Sequence, residues 1–456
     1  MTEFVAESLG ASEHGTEIRR QRVILLILAA VQFTNIVDFM IVMPLGPQLM
    51  RTLRIGPTHF GLIVSSYTLS AGIAGLLAAA FIDRFDRKLS FLTLYLGFLV
   101  GTLFCGLAAG YHVLLAARVV TGAFGGILGG LAMAIVGDVF PEHRRGSATG
   151  TLMSAFALAS VVGVPFGLTL GTAYGWHVPF LLLAGAGSVI LIVAVKAMPS
   201  LRGHLVSEKA AKHPIEEVVA TLTHPNHLRA FALIVTLMFG SFTVIPYISP
   251  YLVANVGVTE KQLPWVYVIG GGLTLIVAPL VGKLADRYGK LHVYRCAAPI
   301  AGLLMIAVTC LPPVSFLLAI TVVSLLMVGN ASRMVAAMAM VMASVDPRRR
   351  GSFMTVNASI QHLSTGLGAY VGGMIITKAS NGSIQRFPWV GAVATTTTIL
   401  SLFLAGRLRT HGDSLKTSPA LSLGAAAEAL GDSSEPLAAT DPSSPLLGDG
   451  NPNLAS

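Results

Sequence analysis

One acidic residue of this chain stands alone in deeply apolar sequence. The chain has 21 Asp and Glu. All but Asp38 fall in the polar tails, in loops or at the ends of apolar runs, Asp138 among the last. A carboxylate in a membrane interior is costly, and burial favours its protonated form. A neighbouring cation favours the ionised form instead. A carboxyl that can exchange a proton for a cation has the chemistry of a proton carrier. Arg118 is the candidate cation. Asp38 lies about eight residues before the outer end of the first apolar run and Arg118 about six after the outer end of the fourth. At ~1.5 Å per residue both sit ~10 Å from one boundary. The alternative is a fixed structural ion pair.

A second set of charges repeats. Gly282-Lys-Leu-Ala-Asp286-Arg287-Tyr-Gly289-Lys290 has a degenerate copy in Ala79-Ala-Phe-Ile-Asp83-Arg84-Phe-Asp86-Arg87-Lys88, and the Asp-Arg pairs are 203 residues apart. Arg144-Arg145-Gly146-Ser147 recurs as Arg349-Arg350-Gly351-Ser352, 205 residues later. Two echoes at nearly one offset mean a duplicated unit of roughly 200 residues. The basic members serve membrane topology as well. Asp83 and Asp286 have no topological reason to recur, which points to a conformational role, and Arg87 can pair with Asp138.

Other candidates weigh a site against packing. Arg333 and His362 share a depth of ~15 Å from the opposite boundary. Arg333 can bind an anionic substrate group or be satisfied by helix carbonyls and Asn330. His362 can titrate near neutral pH or simply pack. Tyr67, Phe239, Phe242, Tyr247 and Tyr251 can line a mostly apolar cavity or fill the core. Pro165 breaks its helix, and the flanking Gly163 and Gly167 permit close packing with the opposite half.

The elements that position these residues are membrane helices. Hydrophobic residues make up 54% and charged residues 11%, with mean hydropathy +0.74. A bilayer core takes about 20 apolar residues per helix. Twelve spans follow, at 23–46, 59–82, 89–108, 112–138, 148–172, 176–197, 228–253, 262–284, 291–311, 315–343, 352–377 and 387–406. The net charge of +9 is not a nucleic-acid signal, because the basic residues occupy short loops. With both termini inside, 23 Lys and Arg face the cytoplasm and five face out, a bias that sets orientation. No P-loop run and no Cys/His cluster of metal-ligand spacing occurs, so no cofactor is called for. The acidic first residues exclude a cleavable signal peptide. The parts are a cytoplasmic N-terminal tail at 1–22, a six-helix half at 23–197, a cytoplasmic linker at 198–227 with a short amphipathic helix at 215–222, a second half at 228–406, and a disordered cytoplasmic tail at 407–456.

The turn motif, its copy, twelve spans and a central linker together resemble the major facilitator superfamily over roughly 23–406. Arg118-Val-Val-Thr-Gly122 resembles its arginine motif. Gly163-Val-Pro165-Phe-Gly167 resembles the antiporter motif, and Asp38-Phe-Met-Ile-Val-Met-Pro44 the twelve-helix drug:proton antiporter group. Ala79 and Asp86 replace glycines of the turn motif, and His177 stands where arginine is commoner. The resemblance implies an all-α membrane protein of two pseudo-symmetric six-helix halves, not an enzyme. It would act as a monomer in the bacterial inner membrane, exporting a small, largely apolar organic compound against protons. In it, Asp83 and Asp286 latch the outward-facing state by accepting from a neighbouring helix's amides. A proton-coupled importer, an uncoupled facilitator of a sugar or metabolite, and a non-transporting receptor or scaffold are the alternatives.

Overall fold

In a computed structural model of the protein, residues 2–79, 81–201, 214–346 and 350–408 are described. Side chains are described from residue 18 onward, except at 83, 214–217 and 350–352. The expected disordered tail beyond residue 408 and the basic run at 347–349 lie outside the described residues.

Long apolar runs in hydrocarbon must satisfy every backbone N–H and C=O internally, and a helix does this within one segment. The long helices are α1 (Thr2–Ile41), α2 (Pro57–Ala78), α3 (Arg87–Gly106), α4 (Tyr111–Val139), α5 (Glu142–Tyr174), α6 (His177–Ala197), α7 (Pro225–Val256), α8 (Leu263–Tyr288), α9 (Lys290–Thr309), α10 (Phe316–Ala343), α11 (Arg350–Ile375) and α12 (Phe387–Arg407). Among the described residues, 11 helices are long and apolar enough to cross a membrane. The exception is α11, whose middle carries Asn357, Ser359, Gln361, His362, Ser364 and Thr365. It tolerates them because it packs between α2 and α7. The linker contains the helix Pro214–Thr223. A two-residue antiparallel hairpin pairs Thr377–Lys378 with Ile384–Gln385, a small addition to the all-α expectation. Its turn uses Gly382 at φ 85° and the Asn381 side chain, which accepts from Ser383.

Helix packing repeats between the halves. In the first, α1 packs on α5 and α6, α4 on α2 and α3, and α3 on α6. In the second, α7 packs on α11 and α12, α10 on α8 and α9, and α9 on α12. Every pair is the first pair advanced by six helices. The principal contacts between halves, α2 with α11 and α5 with α8, interchange under the same operation. The repeat read from the turn motifs is therefore a repeat of three-dimensional packing.

Hydrogen bonds define two rims. One, the tail rim, joins Gln21 to Val139 and Lys88 to Val195 in the first half, and Asn226 to Ser344 in the second. The other, the far rim, carries residues 42–56, 107–110, 174–176, 257–262, 310–315 and 376–386. The halves are tied across the far rim: Arg51 forms an ion pair with Glu260, and Thr58 Oγ1 donates to the Gly373 carbonyl at 2.9 Å.

Without a hydrophobic force between helices in lipid, close backbone approach sets association. A Cβ on Gly122 of α4 would lie 2.1 Å from the Tyr67 carbonyl oxygen of α2, whereas one on Gly130 of the same helix would meet nothing within 4 Å. Gly122→Ala is expected to destabilise the protein by about 1–3 kcal/mol through overpacking. Gly130→Ala should be neutral or stabilising by a few tenths of a kcal/mol, up to about 1. Thermal unfolding of the two variants in detergent checks this, and equal melting temperatures would contradict it.

Candidate functional site

Asp38 sits near the end of α1 and Arg118 in the third turn of α4, and both are fully buried. Arg118 Nη1 donates to Asp38 Oδ2 at 2.6 Å and contacts the Asp38 carbonyl oxygen at 3.3 Å. The second carboxylate oxygen accepts from Thr102 Oγ1 of α3 at 3.1 Å. The guanidinium carbon lies 4.4 Å from the centre of the Tyr67 ring on α2, a cation–π contact. Tyr67 donates its hydroxyl to Asn35 Oδ1 at 2.7 Å, and Asn35 Nδ2 donates to the Gly125 carbonyl at 3.0 Å. Four helices thus converge on one ion pair. Arg118 Nε remains buried without an acceptor among the described residues. Desolvating each ion costs several kcal/mol, so the pair persists only because each charge has further polar partners.

The ion pair is joined to the interface between halves. Phe39, the residue after Asp38, stacks on Tyr67 with ring centres 5.4 Å apart and approaches Phe242 of α7 at 6.2 Å. Phe242 and Phe239 are half-buried. Tyr247 and Tyr251 are buried, and they donate to the carbonyls of Ala369 and Leu311 at 2.5 and 2.9 Å. Those two tyrosines pack helices together rather than line an opening.

The second half holds a buried arginine with neutral partners. Arg333 on α10 donates through Nε to Asn330 Oδ1 at 3.0 Å, through Nη1 to Thr398 Oγ1 at 2.8 Å and through Nη2 to Ser241 Oγ at 2.7 Å. The expected pairing with Asn330 is present, and hydroxyls take the place of the helix carbonyls considered above. Ser241 lies 203 residues after Asp38, the repeat's own offset. Each half therefore brings an arginine from its fourth helix to matched positions on its first helix, where one half has a carboxylate and the other a hydroxyl. His362 is half-buried on α11. Sequence reading did not pick out Thr102, Asn35 or Ser241. The repeat offset could have found Ser241, and the i−3 spacing from Asp38 could have found Asn35.

At the tail rim Arg87 Nε meets Asp138 Oδ2 at 3.1 Å. Lys88 Nζ donates to the Val195 carbonyl. Arg84 is exposed in the short turn Ile82–Arg84, which also contains Asp83, whose side chain lies outside the described residues. Asp86 needs no left-handed backbone: at φ −55° it caps α3, accepting from Lys88 N at 2.8 Å. The other copy turns at Gly289, φ 92°, between α8 and Lys290, the first residue of α9. Gly282 has open space around it. Asp286 is exposed and accepts no hydrogen bond from the described residues, so the expected capping contact with a neighbouring helix is not made in this conformation. Arg287 lies 5.3 Å from the Tyr288 ring.

The antiporter-type segment meets expectation in part. The α-helix stops at Leu158, a π turn spans Ala159–Gly163, and the α-helix resumes at Val164 with Pro165 in its first turn. Gly163 and Gly167 face Val37 and Ile41 of α1, in their own half, because α1 crosses here. The opposite half meets α5 beside them, where Gly271 of α8 approaches Ser160 and Val161. His177 bonds the Ala108 carbonyl at 3.2 Å and stacks on Trp176.

A model of the Major Facilitator Superfamily matches residues 28–243 and 230–432. The inner membrane transport protein YdhP of Escherichia coli (strain K12) is 25% identical over 370 residues, covering 80% of this chain and 91% of that protein. A probable sugar efflux transporter of Mannheimia succiniciproducens is 24% identical over 390 residues, 84% of this chain and 93% of its own. The fold matches a bacterial homolog to the human lysosomal transporter Spinster, solved in an inward-facing, unoccupied conformation, with TM-score 0.65 at 17% identity over 85% of this chain and 95% of that one. With its repeat, its two six-helix halves and a family match over most of its length, this chain belongs to the major facilitator superfamily of membrane transporters.

Proposed function

We propose that the protein is a proton-coupled exporter of the drug:proton antiporter kind. It moves a small, largely apolar organic compound out across the inner membrane, as a monomer with both termini in the cytoplasm. The observation that carries the reading is the wholly buried Asp38–Arg118 ion pair. Ionised Asp38 holds Arg118 through a charge-assisted bond. Protonation replaces it with a weaker neutral contact and leaves a buried cation seeking an acceptor. The proton and the arginine compete for one carboxyl. Phe39 then carries the change in α1 toward Phe242 of the other half. Arg51 and Glu260 tie the halves together at the far rim, so that contact must part when the compound leaves on that side. The relative named as a sugar efflux transporter supports the outward direction, as does the Gly163–Gly167 segment.

Compounds to which the chain confers resistance in a sensitive host supply the substrate for proteoliposome assays. Asp38→Asn is expected to abolish efflux driven by an imposed pH gradient, and unchanged efflux would refute the carrier role. Leaving Arg118 buried without its anion should also cost about 3–5 kcal/mol of stability. The double change Asp38→Asn with Arg118→Gln should recover most of that stability and none of the gradient-driven efflux. Thermal unfolding read beside transport separates the two effects.

Asp286 has a second expected outcome. Asp286→Ala should lower turnover several-fold while substrate affinity stays near wild type, because the residue acts on a state in which the tail rim is shut. Lost affinity with normal turnover per bound substrate would place Asp286 in the binding site or the fold.

A further inference from the structure

The membrane face of the protein carries a groove whose two walls belong to different halves. Pro165, Phe166 and Thr169 of α5 form one wall, and Lys261, Pro264 and Trp265 at the start of α8 form the other. It encloses about 440 Å³. Further along the same two helices Gly271 approaches Ser160. The upper end is at the far rim, where Lys261 is exposed. Its neighbour Glu260 is neutralised by Arg51, which leaves Lys261 as the uncompensated charge at the mouth. Trp265, one helical turn on, is 59% exposed. An apolar cleft at acyl-chain depth, an indole at the interface and a free ammonium at headgroup level match one kind of occupant.

We propose that this groove binds an anionic phospholipid, with its phosphate at Lys261 and an acyl chain between α5 and α8, and that the lipid favours the conformation in which the far rim is closed. The bias follows from the two walls. In this structure they approach while Arg51 and Glu260 tie the halves at the far rim, and a lipid that needs both walls shifts the population toward that state. The proposal rests on alternating access but not on proton coupling. A second groove gives an internal comparison. It encloses about 750 Å³ between α11 and α12, with Arg386 at its mouth and Trp389, 69% exposed, one turn further. Its walls, including Met374 and Ile375, all belong to one half. A lipid there has no reason to favour either conformation.

The test uses the purified full chain in detergent, with phosphatidylglycerol or phosphatidylcholine of the same acyl chains. Native mass spectrometry reads lipid retention, and hydrogen exchange of residues 46–56 and 257–262 reads closure of the far rim. Wild type should retain phosphatidylglycerol about fivefold better than Lys261→Gln, the effect of one surface cation. Phosphatidylglycerol should slow exchange at the far rim in wild type and not in Lys261→Gln. Arg386→Gln should lose retained lipid yet keep the slowed exchange. The proposal is overturned if Lys261→Gln retains the lipid and responds as wild type does. It is equally overturned if phosphatidylcholine or soluble glycerophosphate gives the same protection, or if wild type binds the lipid with no change in exchange.

Discussion

A carboxylate and a guanidinium, both removed from water, set the terms for the first half of this molecule. Each ion alone would cost several kcal/mol in the interior, and their mutual attraction offsets this only with good geometry and further hydrogen bonds. That demand explains why four helices meet where they do. Asp38 comes from α1, Arg118 from α4, Thr102 from α3, and the Tyr67 ring from α2. The glycines of α4 let α2 approach closely enough for Tyr67 to cover the guanidinium; a Cβ at Gly125 would lie 2.7 Å from its hydroxyl. A change in charge at Asp38 alters what all four helices are holding.

The duplication makes the asymmetry informative. The two halves repeat one packing plan, yet among the described residues only the first places an acid opposite its arginine. Arg333 is satisfied by Ser241, Thr398 and Asn330, none of which changes charge. One half therefore holds its arginine with a carboxylate, and the other with neutral groups. Phe39, the residue after Asp38, lies against Phe242 of the second half.

Much of this was legible in the sequence, for physical reasons. Apolar runs must be helices in lipid, and a repeated offset must be a repeated structure, so the helices and the duplication could be read directly, though not every bound: the first span reads as 23–46, and α1 runs Thr2–Ile41. Asp38 could be found because a lone acid in hydrocarbon is rare. Its partner could be guessed from depth, since helix rise is constant. What resisted reading were directions around a helix axis. Gly163 and Gly167 were assigned to the wrong neighbour because spacing does not say which side a helix presents. For Tyr247 and Tyr251 the sequence left cavity lining and core packing open, and only the carbonyls their hydroxyls reach across the fold place them in the packing. The polarity of α11 lowers its apolar signal, and only its enclosure by α2 and α7 explains it.

The central claim is that Asp38 alternates between a proton and Arg118, and it can be tested without knowing the substrate. Infrared difference spectra of the purified protein, recorded as pH is lowered, report the carbonyl stretch of a newly protonated, buried carboxylic acid. The account predicts one such band in the wild type and its absence in Asp38→Asn. If wild type and variant give the same spectra across the pH range over which the protein stays folded, Asp38 remains ionised beside Arg118, the pair is structural, and the account is wrong.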